Sequence, residues 1–490
     1  YLDDLGVDVV WLNPVYESPM ADHGYDVADY RSIHPEYGTM ADWERLLEAL
    51  HAREMHLVMD LVVNHTSDEH EWFERSRTGE EPYDEYYYWR ESDNGPPNNW
   101  ESFFGGSAWS DDETREEWYL HLFDEKQPDL NWTNPRVREE VYDIMTWWLE
   151  KGVDGFRMDV INLISKPEAL PDGVPNDFQT GIEQFIDGPK LDDYLAEMHE
   201  ATLADTEAMT VGEMPGINAG RAKEFVGPDG PLSMIISFEH VRVDWGPEGK
   251  WDPVEYEPRR LIGALTNWQG PLPDAGWICL YLTSHDHPRT VSRFGDDEQY
   301  RRESATALAT VLLTLRGTPF IYQGQEIGMT NKSFETVEDI DDVEARNFVD
   351  DALKSGEYND YDEVRPLVET QSRDNTRSPM QWTDADQAGF TDGEPWTAVN
   401  SNSDEINVAA ARDNPDSVWH YYRDLIDLRA DCDALVYGDF EHHESVPDEV
   451  FAYTRIHGDE RLLVVTNLGD GPETVSVDAS EGEPIVSNYA

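Results

Sequence analysis

Basic residues are scarce in this chain of 490 residues: 36 Lys and Arg stand against 103 Asp and Glu, which gives a formal net charge of −67. A surface of this sign repels phosphate backbones and anionic lipids, so the composition argues against a nucleic-acid or anionic-membrane partner. Only 8 of the cations are lysine. We interpret the composition as adaptation to high salt, because molar salt shortens the Debye length to about 3 Å and screens the self-repulsion. An ordinary acidic enzyme is the alternative.

Cysteine is almost absent, and long apolar runs are absent altogether. The chain has two cysteines, Cys279 and Cys432, too few for a disulfide framework, which favours a cytoplasmic protein. No run reaches the 18 apolar residues that a transmembrane helix needs. Hydrophobic residues nevertheless make up 39% of the chain, with 17 Trp, so we expect a large core. The length allows two or three domains.

Short segments rich in β-branched residues recur between helical patterns such as 43–53 and 135–151. There are seven of them, at 7–14, 56–65, 153–160, 208–214, 232–239, 277–286 and 318–327. Most are apolar throughout, which is typical of parallel strands covered by helices on both faces. The alternation predicts an α/β fold, a (β/α)₈ TIM barrel with one strand missing from this chain.

Two long segments and the C-terminal part do not fit a simple barrel. We assign 1–65 and 127–431 to the catalytic barrel, with a helical insertion at 330–380 after the last strand. Residues 66–126, rich in Trp, Tyr, Asn and Gly, predict an inserted subdomain after the third barrel strand, the missing strand being counted. Residues 432–490 show hairpin patterns and predict a C-terminal antiparallel β-sandwich domain, which we expect to be incomplete.

Polar residues stand at the C-terminal ends of four predicted strands, where a barrel of this type carries its chemistry. They are Asp60, Asn64 and His65, then Arg157 and Asp159, then Glu213, and finally His285 and Asp286. Each acid alone could cap a helix or pair with a cation. Four strands that end in this way favour an active site.

Two of these acids differ in their predicted surroundings. Arg157 and Asp159 are two residues apart in a strand and leave the same face, so the guanidinium is expected to lower the pKa of Asp159 and keep it ionised, as a nucleophile requires. A buried structural ion pair is the alternative. Glu213 has apolar neighbours in sequence, which would raise its pKa toward that of a general acid. Two carboxylates in contrasting environments indicate glycoside hydrolysis.

Other chemistries find less support. The sequence contains no HExxH, CxxC, P-loop or GxGxxG motif, so no metal ligand set is assigned. The surplus of aromatic residues suits sugar rings, whose C–H faces pack on aromatic planes. The residues concerned are Trp100, Phe103, Phe104, Trp109 and Trp132, and packing in a subdomain core is the alternative for each.

The motifs DLVVNH (60–65), QPDLN (127–131), GFRMDVIN (155–162), GEMPG (212–216) and SHDHPR (284–289) resemble those of the α-amylase family of glycoside hydrolases, in order along nearly the whole chain. Longer strings resemble the α-glucosidase and oligo-1,6-glucosidase branch. They are SPMADHGYDVADYR (18–31), GFRMDVINLISK (155–166), TPFIYQGQEIGMTN (318–331) and RDNTRSPMQW (373–382). The resemblance implies a retaining, exo-acting α-glucosidase of short oligosaccharides that needs no organic cofactor.

The resemblance also implies a role for individual residues. Asp159 would be the nucleophile, Glu213 the acid/base and Asp286 a third carboxylate that stabilises the transition state. A pocket for one terminal glucose would be formed by Asp22, Tyr25, His65, Phe104, Arg157, His285 and Arg373. Val160, directly after the nucleophile, looks like the α-1,6-active members and is expected to select the linkage. Small oligosaccharides are the expected partners, and the oligomeric state is left open.

The chain departs from the family pattern at three places. Family members begin upstream of Tyr1 with a strand and a metal-binding acidic loop, and they continue beyond the SNY motif near 487–489. The first strand and a possible structural Ca or Mg site are therefore expected outside this chain. Thr283 and Ser284 replace a frequent Asn-Asn pair, and His287 replaces a Gln, so the neighbouring sugar subsites are expected to differ.

Two alternatives remain beside the α-glucosidase. Within the enzyme class, a trehalose-6-phosphate hydrolase or a transglucosidase has very similar motifs. From a different class, the chain could be a catalytically silent, transporter-associated ectodomain. Such relatives have usually lost catalytic acids, whereas Asp159, Glu213 and Asp286 are all present here.

Overall fold

The computed structural model describes residues 1–176, 178–270, 276–477 and 482–489. Contacts divide the chain into two compact units. The N-terminal unit is Val7–Ser237, and the C-terminal unit is Tyr1–Gly6 together with Phe238–Ala490. The C-terminal unit thus includes the short helix α1 (Leu2–Leu5). No helix in the described part of the chain combines the length and apolar character that crossing a membrane requires.

A five-stranded parallel sheet, in the order β1-β4-β8-β9-β10, forms the centre of the N-terminal unit. The strands of this unit are β1 (Val9–Leu12), β2 (Tyr16–Glu17), β3 (Asp29–Ile33), β4 (His56–Leu61), β5 (Trp89–Arg90), β6 (Trp109–Asp112), β7 (Glu117–Leu120), β8 (Gly155–Met158), β9 (Met209–Glu213) and β10 (Met234–Ile236). Its helices are α2 (Met40–His51), α3 (Glu71–Arg77), α4 (Pro135–Glu150), α5 (Ile182–Phe185), α6 (Leu191–Met198) and α7 (Ala219–Val226). β8 is buried along its whole length, as expected of a central parallel strand, although it contains the charged Arg157.

Local sequence explains where the longer helices begin. The Asn134 side chain accepts from the backbone N–H of Arg136 and caps α4, whose first residue is Pro135, a position where the missing proline N–H costs nothing. α2 begins at a capping box in which Thr39 and Asp42 exchange hydrogen bonds. Both helices bury an apolar stripe, and α2 packs beside β4 of the parallel sheet.

The segment 66–126 contains a three-stranded antiparallel sheet in the order β5-β7-β6. Trp100, Trp109 and Trp132 are at most 2% exposed, and their indole N–H groups donate to Pro171 O, Asn98 Oδ1 and Val63 O, each at 2.8 Å. Of the two interpretations that the composition left open, sugar platform or core, these three rings fit the second. Burial with satisfied N–H groups identifies them as core residues.

The C-terminal unit contains a parallel strand pair and a three-stranded antiparallel sheet. Its strands are β11 (Trp245–Gly246), β12 (Gly249–Pro253), β13 (Cys279–Leu280), β14 (Thr318–Pro319), β15 (Asp439–His442), β16 (Val450–His457) and β17 (Glu460–Asn467). Its further helices are α8 (Pro258–Gln269), α9 (Thr290–Phe294), α10 (Arg301–Thr314), α11 (Val343–Ser355), α12 (Tyr361–Gln371), α13 (Val408–Asp413), α14 (Val418–Ala430) and α15 (Asp433–Val436). β13 pairs with β14 in parallel, so each of the seven predicted segments contains a parallel strand. Of the predicted C-terminal domain, 478–481 and 490 lie outside the described residues.

Two buried arginines donate to carbonyl groups at the end of α10, one from α14 and one from the C-terminal antiparallel sheet. Arg429 donates to the carbonyl oxygens of Leu313, Leu315 and Gly317, and Arg455 of β16 donates to Thr314 O at 2.6 Å. Burial lowers the pKa of each guanidinium to about 10. The carbonyl groups that α10 cannot satisfy at its C-terminus therefore find charged donors.

Candidate active site

The central feature of the N-terminal unit is one buried guanidinium that contacts three carboxylates. β4, β8 and β9 are neighbours, and their register places Asp60 beside Arg157. Arg157, 1% exposed, donates from Nη1 to Asp60 Oδ1 at 3.0 Å and to Asp159 Oδ1 at 2.6 Å. Its Nη2 lies 2.6 Å from Glu213 Oε2. The structure therefore brings the predicted nucleophile and the predicted acid/base to the same cation.

The environment of Glu213 differs from the one expected from its sequence neighbours. Besides Arg157, its Oε2 accepts a hydrogen bond of 2.9 Å from the backbone N–H of Val160. Glu213 is 5% exposed, but it is bound by a cation and an N–H donor rather than enclosed by apolar groups alone. The expectation of two contrasting environments was wrong, because the β8–β9 pairing that joins both acids to one arginine is not visible from local sequence.

The pKa of Asp159 moves in the direction opposite to the one expected. Burial raises the pKa of this carboxyl, Arg157 lowers it, and the charges of Glu213 and Asp60 raise it again, so that it lies well above its usual value. One guanidinium does not neutralise three carboxylates. The carboxyl pair Asp159 and Glu213 is therefore expected to retain a proton at higher pH than separate carboxyls would, and this proton belongs to the pair.

Asp60 is a site residue to which the sequence analysis assigned no role. It accepts hydrogen bonds from Tyr25 OH at 2.9 Å and from Trp11 Nε1 at 3.2 Å, in addition to its contact with Arg157. The guanidinium carbon of Arg157 lies 5.0 Å from the centroid of the Trp11 ring and 5.8 Å from that of Tyr25. Asp60 was noted as a strand-end acid, but only the strand register identifies its partner.

The remaining predicted pocket residues of this unit form a connected series of contacts. Gln127 Nε2 donates to Asp22 Oδ2 at 3.1 Å and lies 3.3 Å from His65 Nε2. The His65 ring is 5.1 Å from Phe123, whose ring lies 5.5 Å from Phe104. All five side chains are buried or partly buried. The structure thus groups Asp22, His65 and Phe104, with Gln127 and Phe123 as links that the sequence analysis did not single out.

The backbone of Val160 has an unusual conformation, with φ 35° and ψ 41° in the left-handed region. For a β-branched residue this conformation is strained. Its side chain is 9% exposed and belongs to a hydrophobic cluster that includes Tyr88, Trp100 and Leu163. The strained backbone directs the N–H of Val160 to Glu213. The role of the side chain in linkage selection stays a prediction.

In the C-terminal unit, Asp286 is surrounded by two guanidinium groups and an imidazole ring. Its Oδ2 lies 3.0 Å from His285 Nε2, and its Oδ1 lies 3.1 Å from Arg377 Nη2 and 3.6 Å from Arg373 Nη1. Burial raises the pKa of Asp286, but His285, Arg377 and Arg373 outweigh it and hold the pKa well below its usual range. The side chain of Asp286 is 28% exposed, whereas the two guanidinium groups are below 10%.

Arg373 is held in turn by Asp342, with Nε and Nη2 donating to Oδ1 at 2.8 and 2.6 Å. Arg377 also donates from Nε to the carbonyl oxygen of His285 at 2.9 Å. Arg377 lies inside the RDNTRSPMQW string and could have been singled out there. Asp342 precedes α11 in an acidic segment and carries no comparable signal.

Among the described residues, no three or more His, Cys, Asp or Glu side chains are grouped in a way that could hold a metal ion.

Parallel strands that end in a pair of buried carboxylates have the arrangement that glycoside hydrolases use. A family model for the alpha amylase catalytic domain matches residues 1–438, and the chain belongs to the alpha-amylase family. The chain is 51% identical to an oligo-1,6-glucosidase of Parageobacillus thermoglucosidasius over 477 aligned residues, which cover 96% of this chain and 84% of that protein. It is 49% identical to an oligo-1,6-glucosidase of Halalkalibacterium halodurans over 499 aligned residues, which cover 100% of this chain and 89% of that protein.

Among solved structures, a mutant form of the trehalose-6-phosphate hydrolase of Bacillus licheniformis is similar to this protein with a TM-score of 0.91 and 43% identity. The match covers 96% of this chain and 84% of the other. The family assignment made from the motifs is confirmed.

Proposed function

We propose that this protein is a retaining, exo-acting α-glucosidase that releases terminal α-linked glucose from short oligosaccharides. The observation that carries the proposal is the contact of Asp159 and Glu213 with one guanidinium, at 2.6 Å each. A retaining glycosidase needs two carboxyl groups about 5–5.5 Å apart, one as nucleophile and one as acid/base. The similarity to two oligo-1,6-glucosidases at about half identity supports the substrate class.

The reaction has two steps. In the first, Glu213 gives its proton to the glycosidic oxygen as the bond between that oxygen and the anomeric carbon breaks, and a carboxylate oxygen of Asp159 bonds to the anomeric carbon. In the second, Glu213 takes a proton from water, whose oxygen attacks the same carbon and displaces Asp159. Two inversions leave glucose in its original α configuration.

The surroundings of the two acids suit this exchange. Before the reaction the pair must hold one proton, which the raised pKa of Asp159 and the coupling between the acids favour. When Glu213 has given up its proton, the N–H of Val160 and the guanidinium of Arg157 stabilise its charge. Arg157 also stabilises Asp159 when the carboxylate is released again.

Several parts of the proposal go beyond these contacts. We assign a closed (β/α)₈ barrel, the inserted subdomain at 66–126 and a C-terminal β domain from 432, and no step requires an organic cofactor. The low cysteine content supports a cytoplasmic location, and the charge of −67 supports a protein adapted to high salt. Asp286 is the third carboxylate in this proposal, and its depressed pKa supports a permanently ionised acceptor of sugar hydroxyls.

A product assay tests the proposal. Purified protein is incubated with isomaltose, maltose, sucrose and trehalose-6-phosphate at low and high salt, and the anomer released first is read by proton NMR. We expect α-glucose from isomaltose and none from the Asp159→Asn variant. Release of β-glucose would contradict retention. A higher kcat/KM for trehalose-6-phosphate would favour the second candidate, to which the 43% identity with a trehalose-6-phosphate hydrolase points.

A further inference from the structure

A buried lysine lies behind the His65 side chain, in a position that the proposed reaction does not use. Lys166 Nζ lies 2.6 Å from Asp129 Oδ2 and donates to Asn64 Oδ1 at 2.7 Å. The Lys166, Asp129 and Asn64 side chains are at most 3% exposed. Since an ammonium group can only donate, the atom of Asn64 that faces Lys166 must be the amide oxygen. The orientation of the Asn64 amide is thereby fixed.

The fixed amide presents its NH₂ group to His65. Asn64 Nδ2 lies 3.2 Å from His65 Nδ1, which must then accept, because the amide nitrogen is a donor. A neutral imidazole that accepts at Nδ1 carries its proton on Nε2.

A second amide favours the opposite tautomer. Gln127 Oε1 accepts from the N–H of Asp124 at 3.0 Å and its Nε2 donates to Asp22, so its NH₂ group faces His65 Nε2 at 3.3 Å. Both amides cannot donate to a neutral ring that also carries a proton. Because the NH₂ group of Gln127 already has an acceptor in Asp22, its approach to Nε2 need not be a hydrogen bond, and the Asn64 contact decides between the two tautomers.

We infer that Lys166 is a positioning residue: through Asn64 it fixes His65 as the neutral Nε2–H tautomer. This inference rests on the proposed function in one respect, that the Nε2 edge beside Asp22 and Gln127 presents a donor to a glucose hydroxyl. Burial lowers the pKa of His65 to about 4, which Lys166 reinforces and which Asp129 and Asp22 oppose, so the ring stays uncharged at neutral pH. His65 therefore presents an uncharged N–H donor in one fixed direction.

The tautomer is measured directly on full-length protein with ¹⁵N-labelled histidine, and the His65→Asn variant identifies the signal of His65. We expect wild type to show a protonated Nε2 and a bare Nδ1. Asn64→Asp replaces the amide NH₂ by an oxygen and keeps a partner for Lys166, so it should fold and move the proton to Nδ1. An Nδ1–H tautomer in wild type, or an unchanged tautomer in Asn64→Asp, would overturn the inference.

Lysine removal is tested in the double variant Lys166→Met/Asp129→Asn, which avoids an unpaired buried carboxylate. We expect a mixture of tautomers and an increase in KM of up to about 10-fold with a smaller change in kcat, as for a lost ground-state hydrogen bond. The control is Lys332→Met, which removes another buried lysine, one that donates to Thr397 Oγ1. The control should leave the His65 tautomer unchanged. If the double variant keeps the wild-type tautomer, Lys166 has only a structural role and the inference is wrong. If wild type shows the expected tautomer but hydrolyses none of the sugars, only the proposed function is contradicted.

Discussion

Replacing Arg157 by methionine should destabilise the protein in a pH-dependent way. Arg157 makes its three carboxylate contacts, to Asp60, Asp159 and Glu213, from a side chain that is 1% exposed. Removing one partner of a buried ion pair costs about 3–5 kcal/mol. When the carboxyls are protonated, the variant has unpaired hydrogen-bonding groups but no unpaired charge, and the cost to the free energy of unfolding falls to about 1–3 kcal/mol. The free energy of unfolding lost by Arg157→Met should therefore be larger at high pH than at low pH.

The direction follows from the raised pKa of Asp159. The native state binds a proton that the unfolded chain has released, so this carboxyl's contribution to stability falls as pH rises from the ordinary carboxyl pKa to the raised one. Without Arg157 the native pKa rises further, and the loss across this window grows. Urea unfolding of wild type and variant at about pH 5 and about pH 8 measures how much stability the substitution costs at each pH. Other titrating groups affect wild type and variant alike, so their contributions cancel in this comparison.

The control for this experiment is Arg461→Met, which removes an exposed pair with Glu441 at 3.5 Å. Such a pair is worth about 0–1 kcal/mol, without a trend between the two pH values. An equal loss for Arg157→Met at both pH values, or a larger loss at the lower one, would refute the idea that the guanidinium acts mainly by compensating buried carboxylates.

Three further predictions follow from the site and the composition. Asp159→Asn and Glu213→Gln should each lower kcat by several orders of magnitude with the thermal midpoint retained, and near wild-type turnover in either variant would remove that residue from the mechanism. Thermal unfolding in about 0.1 M and about 2–3 M KCl should show a higher Tm at high salt. An unchanged Tm would mean that the charge of −67 is that of an ordinary acidic enzyme and not an adaptation to salt. Val160→Ala should shift the ratio of kcat/KM values from isomaltose toward maltose by about 10–200-fold, and an unchanged ratio in a maltose-preferring enzyme would exclude Val160 as the selector.

The sequence predicted the strands well because their signal is local. Each of the seven predicted segments contains a parallel strand within the part of the chain that the structure describes, although the strands themselves are shorter than the patterns, such as Cys279–Leu280 within 277–286. The acids at the strand ends were found for the same reason, since a barrel fold puts chemistry there. The order of the strands follows from the fold class, but the register that places Asp60 beside Arg157 does not.

The electrostatic predictions failed where long-range contacts decide. The pKa of Asp159 depends on the sum of burial, one cation and two further acids from other strands, and sequence showed only Arg157. Trp100 and Trp109 illustrate the same limit for aromatic residues: composition fits both a sugar platform and a core, and only the partners of their N–H groups distinguish the two.

The two arginines at the end of α10 have a consequence for how this protein can be shortened or recombined. Arg455 belongs to the terminal antiparallel sheet, yet it supplies donors to Thr314 O and Leu435 O. A chain truncated before β15 would remove this donor from Thr314 O, although Leu435 O would keep its hydrogen bond from Arg429, and would expose the apolar surface at the end of α10. The terminal sheet is therefore not an exchangeable module. Chimaeras with other glucosidases should place their junction upstream of α10, so that helix and sheet are inherited together.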